Sequence, residues 1–213
     1  MTPLFHFGLT MKLYYFPGAC PLASHIVLEW IGKPYETVRM TREQTKDPEY
    51  LAINPAGAVP TLVDGDFILT QSAAILGYLS ELSPEAGLLG DTPRERAQTQ
   101  RWLGLCNSDL HKTFTLVFGA AYFSGGDESV GQVLVAQATD RLVALFQVVN
   151  DQLRGRDWLT GKRSVADAYL FVILLWADAK NIPLDGLDEL RRFQDRLRAD
   201  PGVQTAMKAQ GLL

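Results

Sequence analysis

Cys20 is the residue whose type and setting point most directly to chemistry. It stands in Phe16-Pro17-Gly18-Ala19-Cys20-Pro21, after a strand-like run and just before a helical one. Pro21 suits a first helical turn, where its missing N–H would have no partner anyway. Cys20 then falls at or near the N-cap, where free backbone N–H groups and the positive helix end favour an anion. A free thiol ionises near pKa ~8.5, and a helix N-terminus lowers that value. The chemistry expected is a thiolate that binds or attacks a thiol or disulfide. The competing reading is a small buried hydrophobe, which is what most free cysteines are. The other cysteine, Cys106, shares an apolar helical stripe with Trp102 and Leu110 and is expected to pack.

Two further junctions carry polar groups that could hold a ligand. Val59-Pro60 lies immediately before a strand, a place that suits a residue unable to donate to the ladder. A cis peptide there would turn the N–H and C=O of Val59 into a cleft, ready for an extended peptide-like ligand. Thr70-Gln71-Ser72 is a strand-to-helix junction with Ser72 as a good N-cap. Ser72 either caps its own helix or, with the first-turn N–H groups, holds a carboxylate. His111 sits on a mostly apolar helical segment, and position alone favours packing for it. The same holds, more strongly, for His25, which follows Cys20 on the first helix. The three histidines and two cysteines show no metal-site spacing, so no metal is expected.

The elements that must position these residues read in two parts. Residues 12–16 (KLYYF) form a strand that Pro17 and Gly18 end. Leu22, Ile26 and Trp30 then form a helical stripe, stopped by Gly32. Residues 35–39 form a second strand, and residues 41–50 read as loop with a helical turn. Residues 61–63 and 67–69 flank Asp64-Gly65-Asp66, a hairpin signal. A helix over 72–82 closes the unit. The helical connection makes the first two strands parallel, and the last two form a hairpin. The whole is a βαβ-ββα α/β unit. After it Ser83, Pro84, Gly87, Gly90 and Pro93 mark a linker. Residues from 94 onward are nearly all helical, with helices over 129–154, 164–180 and 187–198 and a short tail helix after Asp200-Pro201. Ser164 and Asp167 form a shortened capping box, each contributing about 1 kcal/mol. The domains expected are therefore 11–83 and 94–213, joined by 84–93, with residues 1–10 as a leader. Met11 competes with Met1 as the start.

Composition sets the remaining bounds. The chain has 213 residues, 47% hydrophobic and 21% charged, and its net charge is −4. That balance disfavours a polyanion partner such as nucleic acid. The longest apolar run, residues 168–177, is about half of what spans a bilayer, so it reads as a buried helix and no membrane association is expected. Two cysteines cannot form a disulfide scaffold, and the default location is the cytosol.

A strand, Cys-Pro at a helix start, Val-Pro before a hairpin and Gln-Ser before a helix make up a thioredoxin-like arrangement. Fused to an all-helical region, it resembles a cytosolic glutathione S-transferase, with the bacterial beta class the best match. The resemblance rests on KLYYFPGACPLASHIVLE (12–29), AINPAGAVPTL (52–62), LHKTF (110–114) and SVADAYLF (164–171). It implies that Cys20 contacts the sulfur of glutathione or forms a mixed disulfide with it. It implies that the Val59 backbone pairs with the cysteinyl part, and that Gln71 and Ser72 hold the γ-glutamyl end. Lys46 is implied for the glycyl carboxylate, and His111 reaches toward the thiol from the helical region. Ser108 and Asp109 match positions that can reach glutathione across a homodimer interface. Four residues depart from the family pattern: Gly104 stands where an asparagine is common, Gln71 for glutamate, Pro21 for serine, and Arg163 for an apolar staple residue.

The implied function is a transferase that conjugates glutathione to small hydrophobic electrophiles in detoxification; Phe114, Phe118 and Tyr122, one or more turns past His111, are candidates for the electrophile pocket, with core packing an equal reading of them. The alternatives are a glutathione-dependent thiol–disulfide exchanger acting through Cys20, and a non-enzymatic partner-docking protein on the same fold.

Overall fold

A computed structural model describes residues 11–213 of the chain, so the expected leader and the question of Met1 or Met11 lie outside the described residues. Strand β1 (Met11–Tyr15) begins one residue earlier than its aromatic pattern suggests and buries Leu13 and Tyr15. Helix α1 (Pro21–Ile31) buries Leu22, Ala23, Ile26 and Val27 completely. It ends at Gly32, whose φ of 71° is the left-handed conformation that closes a helix without a Cβ clash. Strand β2 (Tyr35–Arg39) pairs parallel with β1, as the helical crossover requires. Strands β3 (Thr61–Asp64) and β4 (Phe67–Thr70) form the expected hairpin, with Asp64 opposite Phe67. β3 runs antiparallel to β1, giving one mixed sheet in the order β2-β1-β3-β4. Helix α3 (Ser72–Glu81) returns across it and packs on α1.

Between β2 and β3 the sequence reading saw mostly loop. The structure instead has a 3-10 turn (Gln44–Lys46) and a short helix, α2 (Pro48–Ile53). Pro48 opens α2 and Tyr50 anchors it by donating to the Ala58 carbonyl at 2.7 Å. The polar surface of this segment hid its one buried aromatic anchor from a periodicity argument.

The stretch expected as a linker is fastened at both ends. Pro84–Ala86 is a 3-10 turn, Leu88 is 1% exposed, and the Leu88 carbonyl accepts the Val165 N–H at 3.1 Å. Thr92 and Glu95 then form a capping box at the start of α4 (Pro93–Gly104). α4 passes without a break into a π-helical stretch (Leu105–Leu110) and on into α5 (His111–Phe118). A short turn of helix, α6 (Ala120–Phe123), leads to the long α7 (Glu128–Leu153). Helix α8 (Val165–Ala179) is fully buried from 165 through 174, as its apolar run predicts. Helices α9 (Asp188–Ala199) and α10 (Pro201–Ala209) finish the chain, the latter capped by Asp200. None of the helices among the described residues is long and apolar enough to cross a membrane.

One apolar core runs from Leu13 and Leu62 in the sheet, through Leu22 and Ile26 of α1, to Tyr169, Leu170 and Ile173 of α8. α1 touches α3, α8 and α10, so it forms the seam between sheet and bundle. Arg163, which lacks the apolar staple, does not leave the α8 start loose. Its guanidinium lies 4.8 Å from the Trp30 ring centroid and 3.4 Å from the Asp200 carboxylate. Asp200 also accepts the Trp30 indole N–H at 2.8 Å, which ties α1, α8 and α10 at one point.

Candidate active site

The seam places Cys20, Val59, Gln71, Ser72 and His111 around one cleft of about 220 Å³. Each reaches it for a local reason. The Val59-Pro60 peptide is cis, and neither the N–H nor the C=O of Val59 takes part in backbone pairing among the described residues. The loop carrying it is braced by Asn54, whose side-chain amide donates to the Ala58 carbonyl at 2.8 Å and to the Thr61 hydroxyl at 3.0 Å. The Cys20 sulfur stands 3.9 Å from the Val59 carbonyl oxygen.

Ser72 is not the N-cap. Gln71 takes that position with φ 73° and ψ 118°, a left-handed conformation that is uncommon for a side-chain-bearing residue, and no side chain caps the helix. Ser72 therefore becomes the first helical residue, buried, and its hydroxyl lies on the side of the Cys20 thiol and of Tyr169, pulling the pKa of each down. The reading in which Ser72 only caps its own helix is thereby set aside.

Cys20 does occupy the N-cap of α1, but the expected drop in its pKa does not follow. Burial pushes the thiol up, outweighing the Ser72 hydroxyl and its own backbone N–H. The first turn explains why the helix end offers little help. Leu22 N–H is taken by the Ala19 carbonyl at 2.9 Å, Ala23 N–H by the Cys20 carbonyl at 3.1 Å, and Pro21 has none to give. The loop before Cys20 is clamped at Gly18. Its carbonyl accepts the Trp176 indole N–H at 2.8 Å, and its N–H donates to the Gln210 side-chain oxygen at 3.0 Å. The same Gln210 amide donates to Nδ1 of His25 at 3.1 Å, so His25 is a packed residue, as expected.

From the helical side the cleft receives His111, Asn107 and Tyr169. The π-helical stretch widens the backbone here: His111 N–H bonds the Cys106 carbonyl, five residues back. Cys106 is 1% exposed and packs toward the Ala166 carbonyl, and burial pushes its thiol well up. His111 Nδ1 lies 2.6 Å from the Tyr169 hydroxyl oxygen, which lies 3.3 Å from Asn107 Oδ1. Burial holds His111 below its ordinary pKa, with Lys112 adding to the effect, so the ring is neutral at pH 7. Its other side meets Trp176, ring centroids 4.8 Å apart, and Trp176 meets Phe114 and Phe118.

Asn107 and Tyr169 were not singled out from the sequence. Tyr169 hid inside the apolar run of α8, and Asn107 stands three residues after Gly104, where the family asparagine was expected. Three residues named from the resemblance do not line the cleft. Lys46 places its ammonium 3.3 Å from the Gly57 carbonyl oxygen, Ser108 is exposed, and the Asp109 carboxylate faces Arg141 at 3.4 Å. Of the candidate pocket aromatics, Phe114 is fully buried, Phe118 is half exposed, and Tyr122 is 85% exposed and outside the cleft. No group of three or more potential metal ligands exists among the described residues.

Comparison with known proteins matches this arrangement. Residues 9–81 fit the glutathione S-transferase N-terminal domain family. The chain is 46% identical to Glutathione S-transferase GST-4.5 of Xanthomonas campestris pv. campestris, over 95% of this chain and all of that one. It superposes on a glutathione S-transferase from Xylella fastidiosa with a TM-score of 0.92, at 44% identity, covering 95% of this chain and 100% of the other. A sphingomonad glutathione S-transferase complexed with glutathione superposes with a TM-score of 0.83 at 30% identity, covering 95% and 100%. A thioredoxin-like sheet, a helical C-terminal region and near full-length identity to these enzymes establish that the chain belongs to the glutathione S-transferase family.

Proposed function

We propose that the cleft binds glutathione with its sulfur beside Cys20 and conjugates it to small hydrophobic electrophiles. The observation that carries this reading is the convergence, in one cleft, of a thiol, a peptide edge without backbone partners, a helix N-terminus and a neutral imidazole. The residues present fit the tripeptide piece by piece. Val59 offers its cysteinyl peptide an N–H and a C=O that have no backbone partner among the described residues, the C=O shared only with the Cys20 thiol, in the manner of a strand edge. Ser72 and the first turn of α3 suit the γ-glutamyl carboxylate, and Gln71 suits the amine as a neutral acceptor. Lys46 reaches the glycyl carboxylate by giving up its one contact to Gly57. In this reading residues 11–83 supply the glutathione subsite and 94–213 supply His111 and the apolar wall of Trp176 and Phe118, across a connection over 84–93.

His111 acts as the base toward the bound thiol. Cys20 lines the sulfur's seat. Its raised pKa keeps it a thiol at pH 7, which favours conjugation over disulfide exchange, since the thiolate is the attacking species. The protein works as a cytoplasmic homodimer in detoxification. The edge strand β4 supports the dimer, because it exposes Phe67 at 45% and Ile68 at 44%. Ser108 and Asp109 then approach the partner's glutathione. No nucleic acid or membrane takes part.

The test compares conjugation of an aryl halide with reduction of a glutathione mixed disulfide, for wild type, Cys20→Ala and His111→Gln. Conjugation should dominate in wild type and fall at least tenfold in His111→Gln. Dominant disulfide reduction that vanishes in Cys20→Ala would establish the exchanger instead. Failure of a stable, folded dimer to bind immobilised glutathione would favour the docking protein, and a monomer by light scattering would remove the dimer.

A further inference from the structure

The cleft contains a polar chain that the family resemblance did not call for: His111 Nδ1, the Tyr169 hydroxyl and Asn107 Oδ1, at 2.6 and 3.3 Å. We infer that Tyr169 and Asn107 are positioning residues that fix the tautomer of His111, leaving its Nε2 unprotonated as the base for the bound thiol. This rests on the reading of His111 just given.

The Tyr169 hydroxyl has a single hydrogen to give. If it goes to His111 Nδ1, Asn107 Oδ1 receives nothing from Tyr169, and it has no other hydrogen-bond donor among the described residues. If it goes to Asn107 Oδ1, the Tyr169 oxygen is free to accept from Nδ1–H, and both contacts are hydrogen bonds. Only the second arrangement pairs all three groups with one another while leaving the other Tyr169 lone pair to the Ser72 side, and it requires the proton on Nδ1 and the lone pair on Nε2. The surroundings hold the hydroxyl in place. Tyr169 is fully buried in α8, and its hydroxyl is far from ionising because burial pushes its pKa up. The imidazole is gripped edge-on by Trp176 and Tyr169 together. The same logic orients a histidine through a carboxylate in hydrolase triads, except that here a neutral tyrosine and amide do it.

The proton transfer then balances simply. The S–H bond of glutathione breaks and an Nε2–H bond forms, while the electron pair stays on sulfur. The resulting imidazolium keeps its Nδ1–H on the Tyr169 oxygen, so no second proton moves. The Nε2 proton leaves to solvent once the sulfur has attacked and the leaving group has departed with its electron pair.

The test reads the tautomer directly by nitrogen-15 NMR of histidine side chains in the free protein at neutral pH, with His111→Gln to assign the signal. Wild type should show Nδ1 protonated and Nε2 bare. Tyr169→Phe and Asn107→Leu should shift the signal toward the Nε2–H form and lower kcat/KM for conjugation about tenfold or more. Asn107→Asp, which still accepts, should keep the wild-type signature. A wild-type signal with Nε2 protonated overturns the inference, and so does an unchanged signal in Tyr169→Phe. Because the NMR needs no substrate, these results are independent of whether His111→Gln loses activity. If Tyr169→Phe fails to fold, the wild-type signal decides alone.

Discussion

Replacing Asp167 with alanine should destabilise the protein most at acid pH, and by a margin that shrinks as pH rises. The Asp167 carboxylate is fully buried at the start of α8 and accepts three hydrogens. They come from Leu159 N–H at 3.0 Å, Ser164 N–H at 2.8 Å and the Ser164 hydroxyl at 2.7 Å. Alanine leaves the two N–H groups buried without partners, at about 1–3 kcal/mol each, while the hydroxyl can rotate elsewhere. The direct loss is therefore about 2–6 kcal/mol, above the roughly 1 kcal/mol of an ordinary cap. Ionisation works against this. Burial raises the carboxyl from 3.8 to about 6, although all three donors pull it down. A folded pKa above the unfolded one means that the carboxyl's contribution is complete below about pH 4 and declines as pH rises through 6. The shift from 3.8 to about 6 amounts to about 3 kcal/mol. Protonation is compatible with the site, since the Ser164 hydroxyl can turn from donor to acceptor. Urea unfolding of wild type and Asp167→Ala at pH 4.5 and 7.5 gives the two differences. The gap between the proteins should narrow by about 2 kcal/mol across that range, since part of the shift is already spent below pH 4.5. A gap that widens with pH would show that the donors outweigh burial, and the reasoning fails.

Two other perturbations test the loop that carries the thiol. Cys20 in the free protein should react with iodoacetamide more slowly at pH 7 than a free cysteine peptide, because burial raises its pKa, and the rate should still be climbing above pH 9. Faster reaction than the peptide at pH 7 would restore the activated thiolate. Gln210→Leu strips partners from both Gly18 N–H and His25 Nδ1, and should cost about 2–4 kcal/mol in urea and speed Cys20 alkylation. A change under about 0.5 kcal/mol would mean that the clamp is idle.

The sheet was legible because each of its strands is announced by short-range chemistry. Gly32 and the Asp64-Gly65 pair stop or turn the chain wherever the apolar pattern changes period, and the α8 run buries itself whatever surrounds it. α2 was not legible, since Tyr50 alone anchors a polar segment. On the site side, Cys20, Val59 and Ser72 could be found because each stands at a junction where backbone groups must be left over. Gln71 displaced Ser72 from the cap through a positive φ that glutamine does not advertise. The pKa of Cys20 went the other way because burial is a tertiary property. Tyr169 was invisible for a similar reason. A single hydroxyl in an apolar run of ten residues reads as core until another helix brings a partner to it.

The π-helical stretch shows what a residue-by-residue comparison with a family misses. Gly104 counted as a lost asparagine, yet a Cβ there would meet nothing within 4 Å, so the position itself faces open space. An amide reaches the cleft all the same, from Asn107 in the wider turn that follows. That turn takes in one extra residue per circuit, which changes which side chains between Gly104 and His111 point at the sheet. Cys106 and Leu110 still face α8 and hold the stretch in the core, so the backbone has little freedom to revert. The amide thus arrives next to Tyr169 and not at the cleft's outer rim, where it can accept a hydrogen bond as well as donate one. For that reason Gly104→Asn should fail to rescue Asn107→Leu: the restored amide would stand a turn away from the Tyr169 hydroxyl.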